Sequence, residues 1–534
     1  MTDDADADAD AAADSVVVDG ESLTPEDIEH VARRGAPVHV PESARERVRE
    51  SRERIVDIVE SGQAVYGVNT GFGELVQERI ARDDIETLQQ NLVRSHAAGT
   101  GRELDDEEVR AMLVTRLNAL VKGYSGVRER IVDVLAGMLN EGVHPVVKAK
   151  GSLGASGDLA PLAHLALVLT GEGEATVDGE RLSGDEALRR KNLEPVTLRA
   201  KEGLGLINGT QLTVGLASLV VCDAERAIRA ADIAGAMTTE ATMGTTASSH
   251  ASIQRVRPHP GQSESAENVR RLTRNSEIVE SHRNCDRVQD AYSIRCLPQV
   301  HGAVRDSIRH LREAVETELN SATDNPLVFA AEEADERASG TETAAVLSGG
   351  NFHGQPLALR LDYATSGLSE LASISERRID RMLNPNIQEE YLPPFLTEGS
   401  GLRSGYMIAQ YTAADLVSTN RSHGRPSTDS IPVSGNQEDH VSMSAQSAYI
   451  AREVVESTLC VVGIELACGA QALDFIEGQT PGIGTQAAYG TVRAHLEHLD
   501  DDRPIHRDME VMTEILRSDA LFENVERALD TTLA

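Results

Sequence analysis

The eleven residues Gly151-Ser152-Leu153-Gly154-Ala155-Ser156-Gly157-Asp158-Leu159-Ala160-Pro161 combine types that can do unusual chemistry. Asp158 and Pro161 are helix-start residues, and Leu165, Leu167 and Leu169 supply the apolar run that follows. The Ala-Ser-Gly tripeptide therefore lies just ahead of a helix N-terminus. Read as glycine spacing alone, the string is a turn entering a helix, or an anion site. It lacks the Gly-Lys-Ser/Thr of a phosphate loop and the βαβ setting of a dinucleotide loop. A covalent reading is sharper. A tight bend can drive the Gly157 nitrogen onto the Ala155 carbonyl carbon; ring closure with loss of water, and loss of the Ser156 hydroxyl, makes a methylidene-imidazolone. Such a ring is an electron sink, which side chains do not supply and enzymes otherwise take from a cofactor. No lysine stands in a recognisable pyridoxal setting.

Other residues are placed by periodicity. Over about 83–96, Ile85, Leu88 and Leu92 share a helix face, and His96, four residues after Leu92, falls on the same inward side. A histidine there is either a hydrogen-bonded core residue or a ligand contact. Tyr292 and Arg295 are neighbours if their segment is helical. The Arg295 guanidinium suits a carboxylate, and among 86 acidic residues a surface ion pair is an equally natural fate. Phe352 alone reads as core. No metal is expected: neither His495 and His498 with Glu497, nor His282 with Cys285, collects a third and fourth ligand.

The elements that must position these residues are mostly helical. Leu357, Leu361, Ala364, Leu368 and Leu371 make the seam of a long helix, and about 445–475 is apolar on nearly all sides, as in a helix surrounded by others. A small strand element is expected around Ala175 to Leu182. The fold class is mainly α: a central bundle of long antiparallel helices, with a loop-rich, Gly-rich N-terminal part. Residues 1–20 alternate Asp and Ala as an acidic tail that cannot order itself; 21–220 form the N-terminal part, and 221–534 the long-helix bundle and C-terminal helices.

The eleven-residue string resembles the signature of the aromatic amino acid ammonia-lyases, the family of histidine, phenylalanine and tyrosine ammonia-lyases, and the resemblance runs from about residue 25 onward. It implies a 4-methylidene-imidazol-5-one formed autocatalytically from Ala155, Ser156 and Gly157, with no added cofactor. Tyr66 in AVYGVNTGFG resembles the family's mobile-loop general base, a role that needs its pKa brought down from ~10. Ser95-His96 matches the histidine version of the selectivity pair. Asn208 in GLINGTQ and Tyr292 resemble residues around the ring and the leaving amine. The resemblance implies Gln289 in the same site, and Arg295 resembles the carboxylate clamp. Asn325 in SATDNPLVF and Phe352 in SGGNFHGQPL resemble site lining, and Glu438 in SGNQEDHVSM resembles a glutamate that faces the imidazole or the amino group. Two departures stand out: the segment Asn420 to Arg425 is one residue short, and Lys148 stands where proline is common.

The resemblance implies conversion of L-histidine to trans-urocanate and ammonia by a homotetramer whose pockets draw on more than one subunit. Rival readings are a lyase or aminomutase with the same ring acting on phenylalanine or tyrosine, a ring-free helical lyase of the fumarase and aspartase type, and a non-catalytic acidic scaffold. Composition narrows the setting. With 51 Lys and Arg against 86 Asp and Glu, the net charge of -35 over 534 residues disfavours nucleic acid and anionic membrane. Only five of the cations are lysine, a pattern that suits concentrated salt, where screening relieves self-repulsion. Five scattered cysteines and an acidic N-terminus without an apolar core segment fit a cytoplasmic protein.

Overall fold

The computed structural model describes residues 15–63, 65, 67–68, 84–283 and 288–534. The protein is mainly helical, with 61% helix among the described residues. Two compact units divide it, each discontinuous in sequence. The chain up to Leu219, with Leu311–Asp362 and Arg425–Tyr449, forms one; Val220–His310, Tyr363–Gly424 and Ile450–Ala534 form the other. Four long helices, Gln211–Ala241, Leu297–Leu319, Gln355–Leu383 and Ser444–Leu473, run across these limits. The seam residues Leu357, Leu361, Ala364, Leu368 and Leu371 are all fully buried, as their spacing predicts. Among the described residues no helix is long and apolar enough to cross a membrane.

In the first unit, small sheets bring segments distant in sequence together. Thr100–Glu103 pairs antiparallel with Lys148–Lys150, with Thr100 opposite Lys150. This pairing carries the end of the Ile85–His96 helix to the start of the Gly151 string. A Cβ on Gly151 would lie 3.1 Å from the Gly99 Cα, so the two backbones run in contact. Leu327–Ala330 pairs with Ala344–Leu347, Leu327 opposite Leu347, which draws the segments carrying Asn325 and Phe352 together. The strand element expected near Ala175 is the hairpin Glu174–Val177 with Glu180–Ser183. Its two-residue turn, Asp178-Gly179, has φ of 51° and 79°, the positive pair that a primed turn demands.

In the second unit, the apolar helix Ser444–Leu473 carries one buried charge in this part, Glu465, which grips the fully buried Arg378 through two hydrogen bonds of 2.6 and 2.8 Å. Thr238 and Ser375 hydroxyls donate to the same carboxylate, so its lone pairs are well satisfied.

Candidate active site

The Ala155-Ser156-Gly157 tripeptide forms a bend ahead of the Leu159–Leu169 helix. Glycines flank it where nothing larger fits. Gly154 has φ +74°, and a Cβ there would sit 2.1 Å from the Ser442 Oγ; Gly157 has φ +75°, and its Cβ would sit 2.1 Å from the Gly209 carbonyl oxygen. Both φ values lie in the left-handed region that glycine adopts without strain. Gly157 pairs with Gly209 as a single parallel bridge, and the Asp158 amide donates to the Gly209 carbonyl at 2.7 Å. The buried Asn208 donates its side-chain amide to the Ser156 carbonyl oxygen at 2.8 Å. A bend of small residues, clamped by neighbouring backbone and with its central carbonyl held by an amide, fits a tripeptide that closes on itself.

Asp158 stands at the N-cap of the Leu159–Leu169 helix but does not cap it with its side chain. Its carboxylate instead accepts from the Thr213 amide at 2.8 Å, the Ser152 hydroxyl at 2.9 Å and the Thr213 hydroxyl at 3.2 Å. It thus joins the bend to the start of the Gln211–Ala241 helix. Burial pushes the Asp158 carboxyl up to about 6, despite these donors. Burial also raises the carboxyl of Glu318, which takes a 2.5 Å hydrogen bond from Thr210. Sequence reasoning read Asp158 as a helix-start residue; its pairing with Thr213 carries no local signal.

His96 ends the Ile85–His96 helix, half-buried, with Nδ1 2.8 Å from the Leu92 carbonyl oxygen and 3.1 Å from the Ser95 Oγ. A carbonyl only accepts, so Nδ1 carries the hydrogen and donates it to Leu92. Asn325 is buried and holds the strand that follows it: its amide donates to the Ser348 hydroxyl at 3.0 Å and its oxygen accepts from the Gly349 amide at 2.7 Å. Phe352 is half-buried nearby in sequence. Among the described residues, the buried Glu438 Oε2 and Asn208 Oδ1 take no hydrogen bond. Both are hydrogen-bond acceptors.

Gln289, Tyr292 and Arg295 lie in the second unit. Tyr292–Arg295 is a single helical turn, which makes the two residues neighbours on it. Arg295 is exposed with its guanidinium on the Gln289 side-chain oxygen, and Tyr292 is 73% exposed. The turn is held by Ile294, which is buried against Gly244, and by Asp290, which accepts from the Thr245 amide at 2.8 Å. Tyr66 lies outside the described residues.

The family model for aromatic amino acid lyases matches residues 23–494. The chain belongs to that family, and it is a carbon–nitrogen lyase. It is 62% identical over 522 residues to a probable histidine ammonia-lyase of Halobacterium salinarum, covering 98% of this chain and 99% of that one. Among solved structures it is similar to the histidine ammonia-lyase of Trypanosoma cruzi, with TM-score 0.87 and 40% identity over 96% of this chain and 95% of that one. It is also similar to a tyrosine aminomutase from Streptomyces globisporus, with TM-score 0.90 and 39% identity over 97% of this chain and all of the other.

Proposed function

We propose that the protein converts L-histidine to trans-urocanate and ammonia. The observation that carries this reading is the clamped Ala155-Ser156-Gly157 bend, with the Asn208 amide on the Ser156 carbonyl oxygen. Closure of the Gly157 nitrogen onto the Ala155 carbon, with loss of one water and a second from Ser156, supplies the electrophile that makes the amine a leaving group and the β-proton acidic. Asn208 holds the ring carbonyl. Tyr66 takes the β-proton, and Tyr292 lies beside the leaving amine. Arg295, braced by Gln289, binds the substrate carboxylate through its planar fork. Asn325 and Phe352 line the pocket.

Preference for histidine comes from acceptors. His96, its Nδ1 on the Leu92 carbonyl oxygen, offers Nε2, and Glu438 offers a carboxylate oxygen that takes no hydrogen bond among the described residues; an imidazole and an ammonium bring N–H donors to match, whereas a phenyl ring leaves these groups unpaired. The working form is a homotetramer with shared pockets, in the cytoplasm of a salt-adapted cell. Purified protein given L-histidine should develop urocanate absorbance, and the Ser156→Ala variant should not. Activity that persists in Ser156→Ala would overturn the reading, and a β-amino acid product would shift it to an aminomutase.

A further inference from the structure

Arg116 is a fully buried guanidinium whose hydrogen bonds, among the described residues, go to neutral oxygens. It projects from the Asp106–Val121 helix, in the same unit as the Ala155–Gly157 bend. Nη1 donates to the Asn208 carbonyl oxygen at 2.8 Å and to the Gln211 Oε1 at 2.6 Å, and Nη2 donates to the Gly205 carbonyl oxygen. The Gly205 and Asn208 carbonyls end the Glu202–Ile207 helix and have lost their own helical donors, so a cation is well placed on them. Gln211 is fixed in turn by its amide on the Thr323 hydroxyl at 2.7 Å.

Contact with the bend is close. A Cβ on Gly209 would lie 2.9 Å from the Arg116 Nη1, so the guanidinium lies against the Asn208-Gly209 backbone because Gly209 has no side chain. The same two residues meet the bend: Asn208 through its amide on the Ser156 oxygen, Gly209 through its bridge to Gly157. The charge is also incompletely balanced. The carboxylate that acts on Arg116 is Asp324, and the buried Lys201 ammonium already sits 3.1 Å from an oxygen of that carboxylate. Among the described residues, these two buried cations face the one Asp324 carboxylate. Burial of an arginine among neutral acceptors is costly for stability, and this one touches the segment that holds the candidate electrophile.

We propose that Arg116 is a positioning residue for the electrophile: it fixes Asn208 and Gly209 against the Ala155–Gly157 bend and places a positive field behind the Ser156 carbonyl oxygen. That oxygen is the atom on which negative charge gathers when the ring is attacked, and a fixed cation one residue away favours the charge without reorganising. The inference rests on the proposed function.

The experiment uses the purified full-length enzyme and the variants Arg116→Met and Arg116→Lys. Intact mass gives the fraction of chains that have lost two waters, and kcat is normalised to that fraction. For Arg116→Met we expect KM for L-histidine within about twofold of wild type and kcat lowered about 100-fold. Arg116→Lys, which keeps the charge but not the fork, should recover about tenfold of that loss. In protein labelled with carbonyl-13C serine, the isotope-sensitive ring carbonyl stretch should move to higher frequency in Arg116→Met. A normalised kcat near wild type, a Lys variant no better than Met, or an unmoved carbonyl band would overturn the proposal. Should Arg116→Met not fold, Arg116→Lys decides alone: lowered kcat with unchanged KM supports the role, and wild-type kcat ends it. Wild-type protein lacking both the two-water loss and urocanate formation would instead remove the underlying functional reading.

Discussion

The carboxylate of Asp158 lies 2.8 Å from the backbone amide of Thr213, 55 residues further along the chain, and this contact ties the reactive bend to the first turn of the Gln211–Ala241 helix. With its carboxyl raised to about 6 from 3.8 by burial, Asp158 holds a proton in the folded state where the unfolded chain has already lost it. The folded state therefore binds more protons between about pH 4 and pH 6, and its stability falls as pH rises through that window. The size is about 3 kcal/mol for this group. Asp158→Asn should flatten that part of the stability profile, read as the urea midpoint against pH. An unchanged slope would show that other groups set it.

Selectivity should follow the His96 lone pair. His96→Leu removes the acceptor and presents an apolar surface, so kcat/KM for L-histidine should fall about 10- to 100-fold, while turnover of L-phenylalanine rises from background. The measurement is paired kinetics on the two substrates. A His96→Leu enzyme with unaltered preference would move the selectivity role away from this residue.

Much of this architecture was legible in the sequence, because helices announce themselves by local spacing. The seam from Leu357 to Leu371 and the all-round apolar run within Ser444–Leu473 needed only periodicity, and a small strand element was expected around Ala175 to Leu182. The Ala155-Ser156-Gly157 string could be picked out because its residues are contiguous. What stayed hidden is long-range. Asp158 looks like any helix-start residue until Thr213 is folded onto it, and Arg116 sits in a nearly all-buried helix with no polar stripe to mark it. The second unit's boundaries were equally invisible, since segments around 311–362 and 425–449 leave it to join the N-terminal unit.

The charge pattern makes a separate prediction. A chain with net charge -35 and lysine only at positions 122, 148, 150, 191 and 201 should gain stability as its self-repulsion is screened. Raising NaCl from about 0.1 M to about 1 M shortens the screening length from about 10 Å to about 3 Å. Thermal inactivation should slow steadily over that range, while sucrose at equal osmolality should do less. Equal protection by both would assign the effect to solvent exclusion, and faster inactivation in salt would contradict the charge argument.

The buried pair in the second unit should be the most sensitive structural point away from the reactive bend. Glu465 and Arg378 are fully buried and joined by two hydrogen bonds, and Arg378 also donates to the His301 Nε2 at 3.1 Å. His301 in turn places Nδ1 2.8 Å from Asp232, so the neutral ring donates to the carboxylate and accepts from the guanidinium. Burial holds the His301 pKa below its usual 6.5, so its contribution is present above the unfolded value and is lost as pH falls below it. Removing one partner, as in Glu465→Leu alone or Arg378→Met alone, strands the other buried charge and should cost about 3–5 kcal/mol. Replacing both, Glu465→Leu with Arg378→Met, removes the uncompensated charge and should cost less than the two single changes together. The denaturant midpoints of the three variants complete the cycle. Additive losses would mean that the two side chains stabilise the unit independently, and that the network through His301 is not a coupled one.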